Sequence, residues 1–142
     1  MFDKYSEKVS RALFFSRREA GEHGATSINT VHLLLGLSRE DEELFIHVGG
    51  VTGVNNLVRT RLEASLTRKE RIPNSVDLPL AEEYKDVLLQ AADEAKMLSS
   101  NIIESHHLLL AILHMKECMA AKILVDTGIT YVALRDAIAN NP

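Results

Sequence analysis

Three residues able to hold a transition metal, His107, His114 and Cys118, follow one another at spacings of seven and four, which on an unbroken helix would line them along one face. Met115-Lys116-Glu117 is expected to break the helix between them, so the set reads as three separate side chains and no metal is expected. A second chemical signal is stronger because it occurs twice. Thr30-Val31-His32 followed by Leu33-Leu34-Leu35 is echoed by Ser105-His106-His107 followed by Leu108-Leu109-Leu110, and His32 and His107 stand 75 positions apart. A histidine beside a hydroxyl residue invites a catalytic or metal-binding reading. Its recurrence together with three leucines instead points to an internal structural repeat. In the first turn of a helix the positive end of the dipole favours a neutral imidazole, and a hydrogen-bonding role in the scaffold is expected for both rings. At the His114 and Cys118 positions the first copy has Arg39 and Glu43, which removes the metal set from one half.

Other clusters have plainer explanations. Glu40-Asp41-Glu42-Glu43 would feed negative charge into a helix start, and Arg59, Arg61, Arg68, Lys69 and Arg71 make a charged helix face and linker without interleaved aromatics for base stacking. No Ser/His/Asp or Cys/His arrangement stands in a recognisable nucleophile context, and no Gly-x-x-x-x-Gly-Lys-Ser/Thr occurs, so neither covalent catalysis nor ATP hydrolysis is expected of these residues. Four aromatic residues, Phe2, Tyr5, Phe14 and Phe15, crowd the first fifteen positions although aromatics are only 5% of the chain. They are candidate interface anchors, with the alternative that Phe2 and Tyr5 fold back over a junction between the repeats.

The elements that must position these residues are helices. Ser6 reads as an N-cap, and Val9, Ala12, Leu13, Ser16 and Ala20 line one face of a helix from Glu7 to His23 that Gly24 can end. Thr30 is expected to cap a short helix whose leucines cover more than half its circumference, which requires burial on several sides. Residues 39–43 read as a charged connection, Leu44 to Val48 as a third helix, and Asn55 as the cap of a fourth that carries Leu57, Val58, Leu62 and Leu66. Prolines 73 and 79 and the charged run 68–71 mark residues 67–79 as a linker. Beyond it the pattern returns at the same offset: Tyr84, Val87, Leu88, Ala91 and Ala95 repeat the first helix, Ile103 repeats Ile28, Gly128 repeats Gly53, and Val132 repeats Leu57. The expected fold is all-α, with two pseudo-symmetric four-helix repeats (2–66 and 80–140) packed into one eight-helix domain.

Charge and composition narrow the function. A net charge of −4 argues against a general nucleic-acid or anionic-membrane binder, no apolar run approaches the ~20 residues of a membrane span, and Met1-Phe2-Asp3-Lys4 opens no apolar signal region. A cytoplasmic protein with protein partners is expected, and the single Cys118 fits a reducing compartment.

Paired Thr-x-His-Leu-Leu-Leu-x-Leu patterns, small residues at Ser16/Ala20 and Ala91/Ala95, and the following Gly53-Val54 and Gly128-Ile129 resemble the Clp N-terminal repeat domain. The opening Met1-Phe2-Asp3-Lys4-Tyr5-Ser6 is most similar to the ClpC branch of the Hsp100 unfoldases. The resemblance implies a non-catalytic module, without cofactor, that docks adaptor proteins or substrates for an attached unfoldase and protease. An accessory regulator that docks on a Clp protease or unfoldase is the alternative, and a metal-binding helical protein is a further one. In ClpC-like domains each repeat reads Thr-Glu-His, and the resemblance implies that those glutamates serve phosphoarginine recognition. Here Val31 and His106 occupy the two positions, so phosphoarginine binding is expected to be weak or absent. The aromatic concentration gives Phe2 and Tyr5, and the resemblance adds Val31 and His106, as the candidate peptide- or adaptor-binding residues.

Overall fold

The computed structural model describes residues 4–140 and consists of eight helices in the order α1 (Glu7–Glu22), α2 (Thr30–Glu40), α3 (Glu42–Gly49), α4 (Val54–Ala64), α5 (Glu82–Met97), α6 (Ser105–His114), α7 (Met119–Asp126) and α8 (Tyr131–Asn140). Phe2 lies outside the described residues. The first four helices and the last four trace the same path, and α2 and α6 stand at the centre. Three adjacent leucines span most of a helical turn and cannot share one face. Burial of Leu33, Leu34 and Leu35, and of Leu108, Leu109 and Leu110, with no exposed surface on any of them, therefore requires neighbours on all sides. Those neighbours come from both halves: α2 packs on α1, α4, α5 and α7, and α6 on α1, α5, α7 and α8.

The two halves interlock through short extended segments. Tyr5 pairs in parallel with Ile103, where Ser6 N–H donates to the Ile103 carbonyl and Ile103 N–H to the Lys4 carbonyl. Leu80 pairs likewise with Ile28, through Ile28 N–H to the Pro79 carbonyl and Ala81 N–H to the Ile28 carbonyl. Each half thus sends the segment that enters its first helix to the other half. The stretch between α4 and α5 is pinned to the end of α1: Lys69 N–H donates to the His23 carbonyl, Ile72 N–H to the Gly21 carbonyl, and Arg17 Nη2 to the Pro73 and Val76 carbonyls. A Cβ on Gly24, which has φ +69°, would fall 2.4 Å from the Glu70 carbonyl oxygen, so this close approach needs glycine.

Several helix boundaries differ from the expectation. Asn29, not Thr30, caps α2: its backbone is extended, its Oδ1 accepts the Thr30 N–H at 2.7 Å, and Thr30 is already helical. Likewise Glu104 takes the cap position of α6 ahead of Ser105. The charged connection contracts to Asp41 alone, because its carboxylate accepts the Leu44 N–H at 3.3 Å and starts α3 at once. Helix α4 starts at Val54 behind Gly53, whose φ of +90° turns the chain, and Asn55 lies buried inside the helix instead of capping it. Leu57 and Val132 both face outwards, at 44% and 67% exposure; Val58 and Leu62, and Leu134 in α8, supply the core instead.

A buried carboxylate recurs in both halves. Glu19 on α1 meets Arg59 of α4 at 3.3 Å, while Arg59 Nη1 also donates to the Leu35 carbonyl. Its counterpart Glu94, with no exposed surface, accepts the Tyr131 hydroxyl at 2.9 and 3.1 Å and the Gln90 amide at 3.0 Å. Different donors from the fourth helix of each half thus satisfy the same acid, as burial of a charge requires.

Candidate docking cleft

The repeated histidines close the starts of the two central helices. His32 Nδ1 accepts the Asn29 backbone N–H at 2.9 Å, and His107 Nδ1 accepts the Glu104 N–H at the same distance. A ring nitrogen that accepts a backbone proton carries none itself, so each imidazole holds its proton on Nε2 and is neutral. Burial, reinforced by the neighbouring His23 or His106, lowers both pKa values to about 4. These histidines are occupied in building the fold.

Around the second of them the halves leave a cleft of about 660 Å³. Leu44 and Val48 of α3 form one wall, Leu134, Ala137 and Ile138 of α8 the other, and Leu98 lies between α5 and α6. The Asp41, Glu43 and Glu104 carboxylates and the His47 and His106 rings edge it. A smaller hollow of about 330 Å³ continues past His106 to Ser6 and Lys8 at the start of α1. Lys8 Nζ lies 3.5 Å from Asp41 and 4.0 Å from Glu43. The His106 ring tilts against His107 at 4.1 Å between centroids, and burial lowers its pKa although Glu104 and Asp41 pull the other way.

The candidate site residues do not converge on one spot. His106 is half-buried and lines both the cleft and its extension; Tyr5 is half-buried, pairs with Ile103 and precedes Ser6 on the rim. Val31, 7% exposed, lies elsewhere, beside His32 and Lys69 in a hollow of about 270 Å³. Phe14 is 67% exposed and Phe15 stacks under the Arg39 guanidinium at 4.4 Å, on the α1–α2 surface. The basic stretch disperses: Arg59 turns inward to Glu19, and Arg71 pairs with Glu22 at 3.0 Å. His114 is exposed beyond the buried Cys118, and among the described residues no three His, Cys, Asp or Glu side chains gather as a metal set. The walls contributed by α3 and α8 were missed, although Leu134 and Ile138, four apart, already marked an apolar face.

Eight helices in two interlocked sets of four, with a cleft at their junction, define a double-repeat helical domain. The sequence model of the Clp repeat N-terminal domain matches residues 4–127 and again 79–141, and the chain belongs to that family. The family is one of non-catalytic domains. Among its relatives, chloroplastic chaperone protein ClpC2 of Arabidopsis thaliana is 32% identical over 129 residues, covering 90% of this chain and 13% of that protein. ClpC/MecB of Bacillus subtilis, a negative regulator of genetic competence, is 26% identical over 140 residues, 97% of this chain and 17% of its own. The chain therefore spans only about a seventh of the length of these relatives. Among solved structures, the N-terminal domain of ClpD from Arabidopsis thaliana superposes with a TM-score of 0.73 at 22% identity, covering 99% of this chain and 98% of that one. The Hsp104 N-terminal domain of Candida albicans gives 0.75 at 12% identity, covering 95% and 89%. Among the described residues no helix is long and apolar enough to cross a membrane.

Proposed function

We propose that this chain is a docking module that receives adaptor proteins or protein substrates for a Clp/Hsp100 unfoldase and its protease in the cytoplasm, contributing no catalytic step itself. The observation that carries this reading is the apolar cleft between α3 and α8, which is built from both halves and open beside His106. A chain captured there contacts both repeats at once, so binding depends on the intact double repeat. Family membership supports the role, and the absence of a nucleotide-binding motif in these residues leaves the motor to another segment or another protein.

Phosphoarginine is a poor ligand for this version of the domain. Val31 offers no charge to a guanidinium and is almost completely buried, while the neutral ring of His106 stands among carboxylates that repel a phosphate. Titration calorimetry with free phosphoarginine is expected to show no micromolar binding, and such binding abolished by substitution of Val31 or His106 would reverse this conclusion. The docking role is tested by affinity capture with the purified 142-residue chain and with an Ala137→Trp variant that fills the cleft. Clp adaptors and unfoldase or protease subunits should be enriched by the first bait and lost from the second. Equal recovery with both baits, once circular dichroism shows the variant folded, would place the docking surface elsewhere.

A further inference from the structure

The charge around the cleft specifies what it takes. Its apolar walls, formed by Leu44, Val48, Leu98, Leu134 and Ile138, are edged by three carboxylates, Asp41, Glu43 and Glu104, and among the described residues none that lines it is lysine or arginine. Lys8, in the adjoining hollow that Glu104 also lines, lies against Asp41 and Glu43, while Glu104 has no ion pair among the described residues. Asp41 caps α3 and the exposed Glu104 takes part in the capping box of α6 with one of its two carboxylate oxygens, while Glu43 is almost fully exposed and can turn to a ligand. The last turn of α8 ends beside the cleft, and the negative end of its helix dipole adds to the acidic character there. Burial holds His107 neutral and opposes protonation of His106, so these two rings do little to offset the acids near pH 7.

We propose that the cleft selects extended peptide segments in which apolar residues are flanked by lysine or arginine. The apolar residues fill the space between α3 and α8, and the flanking cations reach the Glu43 and Glu104 carboxylates at its edge. This rests on the docking role proposed above and adds the chemical class of the ligand. Phosphorylated or acidic segments are disfavoured by the same rim, since like charges on opposing surfaces repel.

Fluorescence anisotropy with three labelled peptides of equal length tests it. They share one leucine- and valine-rich centre and carry lysine and arginine, serine, or glutamate flanks. With the intact chain at low salt, the cationic peptide should bind most tightly and the acidic one least. Glu43→Gln and Glu104→Gln should each weaken the cationic peptide by about threefold, as expected for exposed ion pairs, leave the serine-flanked peptide unchanged, and lose their effect in high salt. If all three peptides bind equally and Ala137→Trp displaces them, the charge selectivity is wrong and the cleft still stands as the docking site. If none binds, or Ala137→Trp changes nothing, both the selectivity and the docking role at this cleft are overturned.

Discussion

Acidification should destabilise this domain well before its carboxylates are titrated, because two buried histidines accept protons on unfolding. His32 and His107 have pKa values of about 4 in the folded chain, against about 6.5 when exposed in the unfolded one. Between these limits the unfolded state binds more protons, so stability rises with pH and is lost as pH falls. The loss starts near 6.5 and is complete at about 4. For one such histidine, the step from pH 7 to pH 5 costs about 2 kcal/mol, and for the pair about 4 kcal/mol. Against a typical 5–15 kcal/mol of total stability that is a large share. His106, shifted in the same direction, adds to it. The assay is urea denaturation followed by circular dichroism at pH 7, 6 and 5, on the intact chain and on a His32→Asn/His107→Asn double variant. Asparagine retains an acceptor for the Asn29 and Glu104 amides but cannot titrate in this range. The intact chain should lose about 4 kcal/mol and the variant much less. A flat profile for the intact chain, or the same slope in both, would refute the assignment of neutral, buried capping rings.

Three further outcomes follow from the packing. Tyr131→Phe removes one of the two side-chain donors to the buried Glu94 carboxylate and should destabilise by about 1–2 kcal/mol, read from the urea midpoint. Gly36→Ala sets a methyl group 2.6 Å from the Ala12 carbonyl oxygen, so α1 and α2 must separate at a cost of about 1–3 kcal/mol; the equivalent Ala111 shows that the second half accepts a methyl there. Ser99 ends α5 at φ +58°, where the first half has Gly24 at +69°, and Ser99→Gly should raise stability by about 0.5–1 kcal/mol in the same titration.

The fold was legible because its signals come in pairs. Leucine triplets after His32 and His107 predicted helices covered on all sides, and the constant offset predicted two like halves. The cap of α2 was read one position late at Thr30, since a hydroxyl resembles a cap even when the residue before it, Asn29, holds the extended backbone. Glu19 and Glu94 stood at matching positions next to Ala20 and Ala95, which was signal enough for a buried acid, but their partners Arg59 and Tyr131 differ and lie far along the chain. The cleft was only half legible. His106 could be singled out by its place in the repeat, whereas the walls from α3 and α8 depend on how the halves meet, which no local pattern encodes.

The reciprocal pairing of Tyr5 with Ile103 and of Leu80 with Ile28 has the geometry of a symmetric homodimer written on one chain, in which each member lends its leading segment to the other. A polypeptide carrying only one half would be left with an exposed loop edge at Ile28 or Ile103 and an uncovered leucine helix. It should find the missing partner in a second copy of itself, and the segment joining α4 to α5 then acts as a tether that makes that association intramolecular and independent of concentration.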